Sequence, residues 1–167
     1  MRKVGLFYGT TSGKTRKVAE LIKKEFGKIA IEIFNITDIK PEDILKYDNI
    51  IFGTSAWGVG DMQDDWEAFI DDLVELDFEG KRIALFGLGD QVEYPGSFVD
   101  GLGTLYCRLP DKDKIVGFFP TDGYKYYFSS AEKDGVFVGL AIDDDTQAEK
   151  TPERIKKWVV QLKKEFK

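Results

Sequence analysis

A chain of 167 residues with three Trp is long enough for one domain with a full core. Thirty acidic against 24 basic residues give a formal net charge of −6, which argues against a nucleic-acid partner and suits docking onto basic protein surfaces. The lack of His excludes His-based acid–base chemistry and ligation, and the single Cys107 excludes an internal disulfide or a CxxC site.

The elements alternate strand and helix. Strand one spans about Lys3 to Tyr8 and helix one Gly13 to Phe26, where Val18, Leu21, Ile22 and Phe26 recur at helical spacing. Strand two is Ala30 to Asn35. Pro41 opens a short helix with the proline in its first turn, and strand three is Asn49 to Gly53. Gln63 to Leu76 reads as a helix with Trp66, Phe69, Ile70 and Leu73 on one face, and Arg82 to Leu88 as strand four. A helix from Pro95 to Arg108 follows. Lys114 to Phe119 begins strand five, and Val136 to Ile142 is a second apolar run with no helix between them. The intervening residues, about 120–135, read as an insertion within the fifth strand position. The last helix opens at Thr151, expected as its N-cap, with Pro152 at the first position.

Five such units imply an α/β fold with a parallel sheet covered on both faces. Ligands of such sheets bind at the carboxyl ends of the strands, where the strand order reverses. Three loops leave such ends. The first, Gly9-Thr10-Thr11-Ser12-Gly13-Lys14-Thr15, joins a buried strand to a helix N-terminus, whose first amides lack internal partners and whose dipole favours an anion. It reads as a phosphate cradle or as an ordinary capped turn. It is too short for a triphosphate, because the ATP-binding loop needs a glycine where Tyr8 stands.

The second loop, Thr54 to Asp61, and the third, Gly87 to Gly96, each carry an aromatic on a glycine-rich turn: Trp57 and Tyr94. Two aromatics beside a phosphate cradle suit a flat ring. Thr10-x-Ser12-Gly13-Lys14-Thr15, Trp57-Gly58 and Gly89-Asp90-Gln91-x-x-Tyr94 together resemble the three FMN-binding loops of the flavodoxin family, end to end along the chain. The insertion, with Thr121-Asp122-Gly123-Tyr124, resembles the long-chain subgroup. The resemblance implies a single domain over residues 1–167 with an open, doubly wound five-stranded sheet. Flavodoxins themselves illustrate the general rule with the order 2-1-3-4-5 and FMN at the switch between strands one and three. That order comes from the resemblance.

By the same resemblance, Thr10, Thr11, Ser12, Gly13, Lys14 and Thr15 would hold the FMN phosphate, with the backbone doing the binding and Lys14 solvated. Trp57 and Tyr94 would flank the isoalloxazine. Gly89 and Asp90 would meet its polar end, and Ser55 and Ala56 would lie along the ribityl chain and ring. A peptide flip between Gly58 and Val59 would turn a carbonyl toward flavin N5 and favour the one-electron state, since glycine tolerates positive φ. The implied function is a low-potential one-electron carrier without substrate turnover, shuttling between semiquinone and hydroquinone. Its partners would be a flavodoxin reductase and low-potential donors or acceptors.

Charge patterning supports docking. From Tyr47 through Gly80 there is no Lys or Arg but ten carboxylates, among them Asp61, Asp64, Asp65 and Glu67 just past the Trp57 loop. A monomer is expected, with no membrane or nucleic-acid contact, because no apolar run reaches membrane-spanning length. A strand at the N-terminus in place of a leader points to the cytoplasm. The competing reading is a quinone or nitro reductase on the same scaffold, which would need a substrate pocket over the ring where Tyr94 would lie. A phospho-receiver domain would need an acidic cluster after strand one and an acceptor Asp after strand three, which Tyr8-Gly9-Thr10 and Gly53-Thr54-Ser55 do not supply, and Asp143-Asp144-Asp145 lacks the spacing and glycine of a calcium loop.

Overall fold

The computed structural model describes residues 1–57 and 61–167, and of Ala56 and Trp57 the backbone alone. Four strands carry the parallel sheet: β1 (Val4–Tyr8), β2 (Ile31–Asn35), β3 (Asn49–Trp57) and β5 (Arg82–Leu88). A short β4 (Asp61–Met62) turns back antiparallel on the end of β3. The fifth position along β5 is filled twice. β6 (Ile115–Val116) pairs with its first half and β10 (Leu140–Ile142) with its second. The sheet path is therefore β2-β1-β3-β5-β10, the expected order, with the inserted residues looping out between two half-strands.

Those residues form a small antiparallel sheet of their own from β7 (Phe119–Pro120), β8 (Glu132–Lys133) and β9 (Val136–Phe137), with β9 in the middle. A cluster of aromatics roots it. Phe98, Tyr124, Tyr126 and Phe137 pack with ring centroids 5.0–6.0 Å apart.

Among the described residues four α-helices cover the sheet: α1 (Lys14–Phe26), α2 (Asp64–Leu73), α3 (Asp100–Arg108) and α4 (Thr151–Glu165). In parallel register Phe7, Phe52 and Leu85 share one face and Tyr8, Gly53 and Phe86 the other. Trp66 of α2 packs on Phe52, and Leu102 of α3 presses against Gly87, on the Leu85 face. Trp158 of α4 packs on Phe86 on the opposite face, where α4 also meets α1. Both tryptophans are fully buried and anchor their indole N–H groups on main-chain carbonyls, Gly53 and Gly117, each at 2.7 Å.

Several boundaries differ from the sequence reading, each for a local reason. The helix expected from Pro95 starts at Asp100, because residues 94–99 close successive turns and Val99 takes a left-handed φ of +49°. The helix expected over Gln63 to Leu76 spans Asp64–Leu73. Gln63 serves as its cap, accepting from Trp66 N at 3.3 Å, and a single further turn reaches Leu76. The segment after Pro41 winds as a 3₁₀ helix, Pro41–Lys46. Thr151 is not the N-cap of α4: it is the first helical residue, Lys150 precedes the helix, and the Thr151 hydroxyl donates to Asp144 Oδ1 at 2.5 Å.

Candidate functional site

The chain order reverses between β1 and β3, and the loops after β1 and β5 meet the end of β3 at that end of the sheet. The first loop is held by its glycines. Gly9 N donates to Gly53 O at 3.1 Å, laying the loop against β3. A Cβ on Gly9 would stand 2.3 Å from Gln63 Oε1 and 2.8 Å from Trp66 Cδ1, so a side chain does not fit. Gly13 takes φ +85° and donates its N–H to Thr10 Oγ1 at 2.9 Å, which turns the chain into α1. Among the described residues no side chain caps α1, and its first turn holds no acid. The amides of Lys14, Thr15 and Arg16 thus form an uncapped helix start of the kind that suits an anion.

A cleft of about 910 Å³, counting its open mouth, lies beside this turn. The first loop contributes Thr11, Ser12 and Lys14 to it, and β3 contributes Ser55. Gly89, Asp90 and Tyr94 come from the third loop. These are seven of the residues singled out in the sequence. Thr10 instead braces the turn, and Thr15 is buried beneath it. Gly58 and Val59 lie outside the described residues, as do the side chains of Ala56 and Trp57. Leu88, Ser97, Phe98 and Val99, and Asp144 and Asp145 just past β10, complete the described lining.

Lys14 is solvated, as expected, yet it also meets Asp145 at 2.6 Å with both groups about half exposed. The hydrogen bond and charge of Asp145 raise the Lys14 ammonium above its ordinary pKa. Such an exposed pair adds little stability and is easily exchanged for another anion.

The third loop is tightly built. Asp90 Oδ1 accepts from Val92 N at 3.0 Å and from Glu93 N at 2.9 Å, and Gly89 N donates to Ile142 O at 2.9 Å. A Cβ at Gly89 would lie 3.0 Å from Val99 N. Tyr94 stands 39% exposed at the cleft wall. Behind the loop, buried Asp143 takes four hydrogen bonds: Gln91 N (3.1 Å), Gln91 Nε2 (2.7 Å), Thr146 N (2.9 Å) and Thr146 Oγ1 (2.5 Å). Burial pushes this carboxyl up, and the hydrogen bonds from Thr146 and Gln91 more than offset that, holding it below its ordinary value.

Three polar residues organise the site through hydrogen bonds the sequence reading did not assign, although Gln91 stands within the third-loop motif. Gln63 reaches from the start of α2 to Thr11 Oγ1 at 3.3 Å, while Gln91 and Asp143 meet across 52 positions. Nothing local marks any of them. Asp61, Asp64 and Glu67 are exposed and take part in no ion pair among the described residues. Glu79, from the same acidic stretch, is exposed and pairs with Lys114 at 3.0 Å. Among the described residues no group of three His, Cys, Asp or Glu is placed to hold a metal.

The flavodoxin family model matches residues 6–158. The chain belongs to the flavodoxin family. It is 47% identical to a flavodoxin of Picosynechococcus over 99% of both chains. With flavodoxin 1 of Escherichia coli it shares 42% identity over 99% of this chain and 96% of that one. The crystal structure of Fusobacterium nucleatum flavodoxin bound to flavin mononucleotide superposes with a TM-score of 0.92 at 35% identity, covering both chains fully. The length agrees with the long-chain subgroup. Flavodoxins transfer electrons to other redox proteins and turn over no substrate of their own, and this chain is an electron-transfer protein of that kind.

Proposed function

We propose that the cleft binds FMN and that the chain works as a low-potential one-electron carrier. The observation that carries this is the convergence at the switch point of an uncapped helix start, hydroxyl side chains and an exposed aromatic wall around one cleft. The residues fit the group. The donor set suits a phosphate at one end and a flat ring at the other.

In this reading the amides of Lys14, Thr15 and Arg16 and the hydroxyls of Thr11 and Ser12 hold the phosphate, and Lys14 exchanges Asp145 for it. Tyr94 excludes water from one ring face, the backbone of Gly89 and Asp90 holds the polar ring edge, and Ser55 lies along the linker. Trp57, Ala56, Gly58 and Val59 are assigned their roles by resemblance. When bound, FMN supplies the one-electron chemistry. The described lining carries three carboxylates, Asp90, Asp144 and Asp145, against the single ammonium of Lys14. This excess opposes adding negative charge and makes the last electron strongly reducing; each tenfold effect is worth about 60 mV per electron.

The proposal extends to the partners. A flavodoxin reductase and low-potential donors or acceptors with basic faces would meet a monomer in the cytoplasm, steered by Asp61, Asp64, Asp65 and Glu67. Titrating the apoprotein with FMN while following flavin fluorescence tests the site. We expect stoichiometric quenching with weaker apparent binding as inorganic phosphate is added. Fluorescence that rises as in buffer would contradict it.

A further inference from the structure

The insertion reaches the third loop through its main chain. Tyr127 N and Phe128 N donate to Pro95 O at 2.6 and 3.1 Å, and Lys125 N donates to Gln91 Oε1 at 2.5 Å. Gln91 is 3% exposed, and its other end donates to the buried Asp143 carboxylate. One amide therefore spends its donor on the end of β10 and its acceptor on the insertion. Its own N–H meets the same carboxylate. The bond to Asp143 is buried, so losing it leaves a carboxylate without its partner, whereas the bond from Lys125 N lies at the edge of an open pocket lined by Gln91, Tyr124 and Lys125.

We propose that Gln91 and Asp143 are positioning residues of the cofactor site: through them the insertion fixes the place of the Gly89–Tyr94 loop against the ring end of the cleft. This rests on the FMN reading of that cleft. Asp90 rigidifies the loop internally, through its bonds to Val92 N and Glu93 N, but leaves it free to shift as a unit. Gln91 sets where the unit stands. The phosphate end is built by the first loop and α1 and meets the segment after β10 through the exposed, exchangeable Lys14–Asp145 pair, with no described hydrogen bond to Gln91 or Asp143 themselves. The insertion thus serves ring binding and leaves phosphate binding alone.

Gln91→Met keeps the chain length and apolar bulk and removes both the donor and the acceptor. In this variant FMN affinity should fall at least about tenfold while the affinity of the apoprotein for inorganic phosphate stays within about twofold. Amide hydrogen exchange supplies a reading without cofactor. In wild-type apoprotein the amides of Gln91 and Lys125 should be protected together, and in Asp143→Asn both should exchange at least about tenfold faster.

FMN affinity within about twofold of wild type in folded Gln91→Met, or FMN and phosphate weakened in equal proportion, would overturn the proposal. If Gln91→Met does not fold, the exchange experiment decides, and an unprotected Lys125 amide in wild type overturns it. A wild-type protein that takes up no FMN overturns the parent reading and this one with it. A wild type that binds beside an unaffected Gln91→Met overturns this one alone.

Discussion

Gly9→Ala is the sharpest test of how the first loop is held. The new methyl would stand 2.3 Å from Gln63 Oε1 and 2.8 Å from Trp66 Cδ1, and Trp66 is fully buried with its indole N–H fixed on Gly53 O. Neither neighbour moves without loss. Overpacking of this kind costs about 1–3 kcal/mol. Displacing Gln63 from Trp66 N forfeits a helix cap worth about 1 kcal/mol. Together these give about 2–4 kcal/mol, which for a chain of this length is a Tm fall of roughly 5–15 °C. Thermal unfolding followed by circular dichroism measures it. Gly80→Ala is the control, since Gly80 has φ +75° with open space around it and should lose only about 1–2 kcal/mol to backbone strain. Adding Gln63→Ala to Gly9→Ala opens room for the methyl, so the double variant should lose less than the sum of the singles. A Gly9→Ala protein melting within about 2 °C of wild type would refute the packing argument.

Other expectations follow from the same geometry. Asp143 is held below its ordinary value of 3.8, so its contribution to stability is present above that pH and is lost as pH falls through the folded value. Urea midpoints of wild type and Asp143→Asn should therefore differ most near neutrality and converge in acid; a constant gap across pH would contradict this. Trp66→Phe removes the indole bond to Gly53 O and should cost about 1–3 kcal/mol in chemical denaturation, whereas an unchanged midpoint would show that the bond adds nothing. Charge reversal at Asp64, Asp65 and Glu67 together should slow electron transfer to a basic partner protein at low salt and leave it nearly unchanged at high salt. Stopped-flow rates equal to wild type at low salt would remove the steering role.

The elements most readable from sequence were those with a local cause. Ile50-Ile51-Phe52 and Ile83-Ala84-Leu85-Phe86 are apolar throughout because both faces of a central strand are covered, and they pair side by side in the sheet. The first and third loops were readable because turn, glycine and hydroxyl chemistry lies in contiguous residues. The start of α3 was not, since the left-handed Val99 has no signature in a β-branched residue. Thr151 looked like a cap because Thr-Pro-Glu usually is one, but its hydroxyl found Asp144 instead. The joints made by Gln63, Gln91 and Asp143 were hidden for a deeper reason. Each acts through a partner made near by folding, and a polar residue in a loop looks the same whether it is solvated or carries a buried joint.

The central claim is a one-electron carrier built on an FMN cleft, and stepwise anaerobic reduction of the purified holoprotein followed by visible absorption tests it most directly. The account predicts a yellow protein that turns blue after about one electron equivalent, as the neutral flavin radical accumulates, and bleaches only at much lower potential. A yellow protein that bleaches in a single two-electron wave would contradict it.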